Sequence, residues 1–119
     1  MHKPGRAHTY NQFDGLVAVV NETVSLGDIM ALTSFTGKRH FAALATTQAG
    51  RLHVAAHGAH PGGKVMLVPW LILEGAPEWC ERPGDKVYLG EAGKLSPKGK
   101  RVVGRVLEGP AILLDPNTP

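Results

Sequence analysis

The sequence predicts a mainly β protein: a small single-domain β-barrel or β-sandwich of short strands, with an extended N-terminal arm. Three observations carry this. Turn signals recur at a spacing of about 8–12 residues, the cue for a sandwich or barrel. Gly (15) and Pro (9) are spread along the 119 residues instead of being gathered in a linker, so turns are many and strands short. No stretch keeps the i, i+3, i+4, i+7 apolar pattern of an amphipathic helix.

The totals bound the rest. A chain of 119 residues suits one domain and can bury about two-thirds of the surface its unfolded form exposes. Cys80 is the one cysteine, so no disulfide forms within the chain, which fits synthesis in a reducing cytosol. A formal charge of +3 is too small to imply nucleic acid. No run of about 18 apolar residues suggests a membrane span, and Met1–Arg6 lacks the apolar centre of a secretory signal.

In chain order, residues 1–15 read as the arm, 16–115 as the β domain and 116–119 as a polar tail. Met1 to Gln12 carry no hydrophobic period; they are either a frayed terminus or an arm laid on an adjacent subunit. Leu16–Val20 is a β-rich run ended by Asn21-Glu22. Val24–Leu32 is a second strand candidate, interrupted by Gly27-Asp28. Phe41–Ala49 reads as strand then turn, with a short helix as the alternative. Leu52–Ala56 is a strand and His57–Gly63 a loop. Val65–Leu73 is the longest apolar run; Pro69 inside it predicts two short strands or a bulge. Lys86–Leu89, Lys94–Ser96, Val102–Leu107 and Ala111–Leu114 are strands, separated by turns at Glu91–Lys94, Lys98–Lys100 and Glu108–Pro110. A faint echo links Leu26-Gly27-Asp28 to Pro83-Gly84-Asp85: in each, a Gly-Asp turn leads into a strand and a Gly-Lys pair follows later. Gly-Asp turns are common enough for chance to produce this.

No arrangement points to chemistry. His53, His57 and His60 have a spacing that would gather three imidazoles on a helix, but Gly58 and Pro61-Gly62-Gly63 oppose a helix. On a strand, His53 and His57 would stand about 13 Å apart. Cys80, between Trp79 and Glu81, lacks the positive surroundings of a reactive thiolate and reads as structural. The carboxylates mostly flank turns, and no nucleophile elbow or phosphate loop is present. Lys94, Lys98, Lys100, Arg101 and Arg105 form the densest basic stretch; without interleaved aromatics it reads as a solvated hairpin edge. Trp70, Trp79, Tyr88, Phe35 and Phe41 read as core or rim residues, with Trp79 the first choice for an interface anchor. The expectation is a protein that is not an enzyme and holds no cofactor or metal.

The C-terminal third runs Pro83-Gly84-Asp85-Lys86-Val87-Tyr88-Leu89, Gly93-Lys94-Leu95-Ser96 and Val103-Gly104-Arg105-Val106-Leu107-Glu108, then an apolar closing strand. It resembles the capsid cement, or head decoration, proteins of tailed bacteriophages. Gly27–Leu32 and Leu52–Gly58 resemble the family's earlier segments, and the likeness covers about residues 20–115. The resemblance implies a β-barrel or sandwich made in the host cytoplasm. It would bind the major capsid protein on the capsid exterior and stabilise the shell, as a homo-oligomer with a trimer favoured, with no nucleic acid, membrane or catalytic residue involved. The run through Pro69-Trp70 and the Trp79-Cys80 connection depart from the family pattern. Candidate capsid or subunit contacts are His2, Lys3, Arg6, Tyr10 and Phe13 on the arm, and Trp79. Alternatives are a tail or head-fibre β module, or a cellular β-barrel that binds a protein. An enzyme or metal site using His53, His57, His60 or Cys80 stands last.

Overall fold

The computed structural model describes residues 6–9 as a strand, and residues 15–46, 50–80, 82–109 and 111–117 in full. Among these the strands are β1 (Arg6–Thr9), β2 (Leu16–Val20), β3 (Ile29–Thr36), β4 (Arg39–Leu44), β5 (His53–Ala55) and β6 (Lys64–Val68). They continue as β7 (Leu71–Glu74), β8 (Lys86–Leu89), β9 (Leu95–Ser96), β10 (Val102–Leu107) and β11 (Ala111–Leu114), with a 3₁₀ turn at Glu91–Gly93. The protein is mainly β, as the turn spacing predicts. Its strands form a closed barrel, β2-β4-β3-β5-β6, and a six-stranded sheet, β1-β7-β11-β10-β8-β9. The sheet curls into a half-barrel.

The two units are one plan built twice. In the barrel, Gly27 N–H donates to Ala55 O, and Ala55 N–H donates to Asp28 O, both at 2.9 Å. In the half-barrel, Gly84 N–H donates to Val106 O (2.7 Å) and Val106 N–H donates to Asp85 O (2.8 Å). Both glycines take positive φ, +87° and +93°, a conformation glycine adopts without a Cβ penalty. Strand order repeats as well: β2-β6-β5-β3-β4 in the barrel matches β7-β11-β10-β8-β9 in the sheet. The Gly-Asp echo in the sequence therefore marks equivalent turns in equivalent places.

The copies differ at the seam. In the barrel β4 pairs in parallel with β2 (Ala18↔His40, Val20↔Ala42) and closes the ring. In the second copy β7 takes β1 as its neighbour instead (Arg6↔Glu74, Ala7↔Leu73), and β9 stays at the far edge. The opened copy fills its concave face with the outside of the closed one. Ala18, Val20, Met30, Ala42, Ala55, Val65 and Leu67 line the barrel interior. Their alternate neighbours Ile29, Val54 and Val68 point outward and pack among Leu71, Leu73, Val87, Leu89, Ile112 and Leu114. Burying each such side chain stabilises by about 1.5–3 kcal/mol, and this shared layer holds the units together.

Asp28, 5% exposed, adds a polar tie. Its carboxylate accepts Ser25 N–H at 2.9 Å and two contacts from Lys94 Nζ at 2.8 and 3.0 Å. The tie reaches from the barrel to the β8–β9 turn.

Several boundaries move from the sequence expectation. Val24–Leu32 is interrupted at Gly27-Asp28, as the sequence predicts, and only its second part, Ile29–Leu32, lies in a strand. Val24 makes an isolated bridge to Ala59, residues 26–27 turn, and the strand is Ile29–Thr36. The Gly27 turn, held by Asp28, sets the later start. Val65–Leu73 divides around Pro69-Trp70 into β6 and β7, as the proline predicts. Arg6–Thr9, within the expected arm, is a strand of the half-barrel sheet, while residues 1–5 and 10–14 lie outside those described. The tail also has a function in the fold. The Asn117 amide accepts Leu52 N–H (2.9 Å) and donates to Leu52 O (2.7 Å), completing both backbone groups of Leu52.

Candidate interaction surface

The β3–β4 hairpin projects beyond the barrel. Residues 32–39 are all exposed, and Phe35 is 61% exposed. Twelve positions separate the paired Ala31 and Ala43, against eight between their counterparts Tyr88 and Ser96 in the second copy. The first hairpin is therefore four residues longer than the plan requires. A two-residue turn ends it: Thr36 pairs with Arg39, and Gly37 (φ 61°) and Lys38 (φ 63°) both take positive φ, as a type I′ turn demands.

A bulge aims the side chains. The register shifts between Leu32 and Ser34, so Leu32 pairs with Ala42 and Phe35 with His40. Without the extra residue Leu32 and Phe35 would face opposite ways. With it, both lie on the face that, one turn lower, points into the barrel. The Phe35 and His40 rings meet in a tilted contact, centroids 4.6 Å apart with 51° between planes, which restricts Phe35 before any partner arrives. Lys38 and Arg39 stand at the tip, and residues 31–42 contain no acidic side chain. At the foot of the hairpin, Glu22 accepts Leu44 N–H at 2.9 Å and holds the end of β4.

The residues expected to make contacts lie elsewhere. His2, Lys3, Tyr10 and Phe13 fall outside the described residues, and Arg6 lies in β1 opposite Glu74. Trp79 is half-buried against the shared apolar layer. It lines both a cleft of about 430 Å³ with Asp85, Lys86, Tyr88 and Pro97 and a groove of about 510 Å³ with Leu26, Leu73, Ala76 and Leu95. Phe35 is the residue that sequence reasoning misplaced. Read as core or rim, it is the most exposed of the large apolar side chains noted at the surface, with Val17 (49%) and Leu32 (39%). The available signal was Gly37-Lys38 midway between Phe35 and Phe41.

The three histidines do not converge. His53 is buried in the barrel on β5, and its Nδ1 finds no hydrogen-bond partner among the described residues. Burial, then the charges of Arg51 and His40, lower its pKa from 6.5. His57 uses both nitrogens on backbone: Nε2 accepts Met66 N–H at 3.1 Å, which leaves Nδ1–H to donate to Gly58 O at 2.8 Å. It braces the loop between β5 and β6. His60 is exposed. Among the described residues no three His, Cys, Asp or Glu side chains gather where they could hold a metal. Cys80 is buried, and burial, with Asp85 second, raises its thiol pKa.

The basic stretch is partly structural. Lys94 pairs with Asp28. Arg101 donates to Gly50 O (2.6 Å), Pro116 O (2.8 Å) and Asn117 Oδ1 (3.3 Å), tying β10 to the tail. Among the described residues no helix is long and apolar enough to cross a membrane. Comparisons with family models, curated proteins and solved structures returned no match.

Proposed function

We propose that this chain is a virion structural protein that binds the outer surface of a phage capsid and stabilises it. Its partner is the major capsid protein, it acts as a homo-oligomer with a trimer favoured, and it performs no catalysis and uses no cofactor, nucleic acid or membrane. The observation that carries this reading is how the motifs of the resemblance fold. Gly84-Asp85 is the turn into β8, Gly93-Lys94 the turn into β9, Val103–Leu107 lies in β10 and Ala111–Leu114 closes as β11. Each motif folds as the strand or turn that its own sequence predicts, within one continuous antiparallel sheet, and this supports the reading.

The physical logic is contact by shape. A shell is reinforced by many modest contacts repeated by symmetry, each copy adding its share once its neighbours are placed. A body whose two units share an apolar layer resists deformation, so binding it across shell subunits would restrain them. The test is to mix purified protein with expanded, undecorated phage capsids and sediment the mixture. Binding should saturate at a fixed ratio to the capsid protein; failure to co-sediment at any concentration would sink the reading.

A further inference from the structure

We propose that the tip of the β3–β4 hairpin is the anchor by which this protein grips an acidic protein surface. Phe35 and Leu32 would supply the apolar contact, and Lys38 and Arg39 the charge. The inference deepens the decoration reading and rests on it, with the acidic surface belonging to the capsid shell.

Four observations converge on this tip. The hairpin exceeds its counterpart in the second copy by four residues, and residues 32–39 are all exposed. A bulge brings Leu32 and Phe35 to one face, and the His40 ring packs against Phe35 in a tilted contact, so an aromatic anchor is held ready at low entropic cost. Lys38 occupies a left-handed position, φ 63°, where glycine or asparagine is the favoured choice; a lysine there costs about 1 kcal/mol. Strain retained at an exposed tip points to a use for the side chain. Residues 31–42 contain no acidic side chain, so Lys38 and Arg39 give the tip a local positive charge that suits an outside carboxylate.

A protein surface fits this chemistry better than nucleic acid. Two cations neutralise too few phosphates for firm binding at physiological salt, whereas an exposed phenylalanine near an arginine has the composition enriched at protein interfaces. A second copy meeting this one tip to tip is disfavoured because it would bring the same positive charge to the contact; a copy meeting the tip through another face is separated by the oligomeric-state test below.

Lys38→Gly separates binding from folding. Glycine relieves the left-handed strain, so thermal stability should hold or rise, while affinity for undecorated capsids should fall several-fold. Phe35→Ala should weaken binding by about tenfold or more, with unfolding unchanged because the side chain is exposed. Added salt should weaken the wild type more than Lys38→Gly. If wild type binds capsids and both variants bind equally well, the hairpin inference is overturned and the decoration reading stands. If wild type does not bind, the decoration reading itself fails. A change in oligomeric state on Phe35→Ala would assign the tip to self-association. Retention of wild type, but not Lys38→Gly, on duplex DNA would assign it to nucleic acid. Either result overturns the proposal.

Discussion

Lys94 and Lys98 sit four residues apart in the same basic stretch and do different work. Lys94 reaches Asp28, which is 5% exposed and also holds Ser25 N–H. Replacing Lys94 with Met leaves that carboxylate buried without its cation, and we expect a loss of about 1–3 kcal/mol, discounted because the lysine is half in water. Lys98→Met should stay within about 0.5 kcal/mol, as exposed substitutions do. Urea unfolding of the pair checks the contrast. His53 gives a pH signature. Its folded pKa lies below 6.5 because burial and the nearby Arg51 and His40 charges oppose protonation. The unfolded chain therefore takes up the proton first as pH falls. Stability from neutral, buried His53 is present above the unfolded value and is lost below it. The melting temperature should drop from about pH 7.5 to about pH 5.5, and less steeply in His53→Leu. An equal slope in the variant would place the titration elsewhere.

At the scale of elements, equal backbone conformations need not be equally sensitive. Gly37 and Gly93 both have positive φ, but the space at Gly37 is open, whereas a methyl on Gly93 would press on the carbonyl oxygen of Ile29. Gly37→Ala should cost about 1 kcal/mol from the left-handed conformation alone. Gly93→Ala should cost about 2–4 kcal/mol, because crowding against the barrel adds to it. Denaturant midpoints of the two variants measure the difference. Many of these elements were legible in the sequence. Alternating apolar runs bounded by Gly and Pro located β2, β5, β8, β10 and β11, and Pro69 located the division between β6 and β7. The β3–β4 hairpin was only weakly legible, through Gly37-Lys38 and the run from Phe41. Its exposed strands bury too little to leave an apolar period, and Lys38 stands where a turn residue would have announced the reversal. Asn117 and Arg101 were missed for another reason: their partners, Leu52 and Gly50, are 65 and 51 positions away, and no local pattern encodes such a contact.

The whole molecule is a repeated five-strand plan in which one copy closes and the other opens around it. Closure gives the barrel its own interior. Opening leaves the second copy dependent on Ile29, Val54 and Val68 of the first, which makes the two units one cooperative body. In the sequence the repeat shows only as the Gly-Asp turns and the Gly-Lys pairs that follow them. Equivalent core positions hold different apolar residues, such as Met30 and Val87, because interior packing selects for volume and not identity. A body of this kind suits a protein that reinforces a larger shell by fitting against it. The most direct measurement is the temperature at which undecorated, expanded phage capsids come apart, recorded while this protein is titrated in. That temperature should rise and then level off once every site on the shell is filled. An unchanged temperature, with the protein left in solution, would contradict the account.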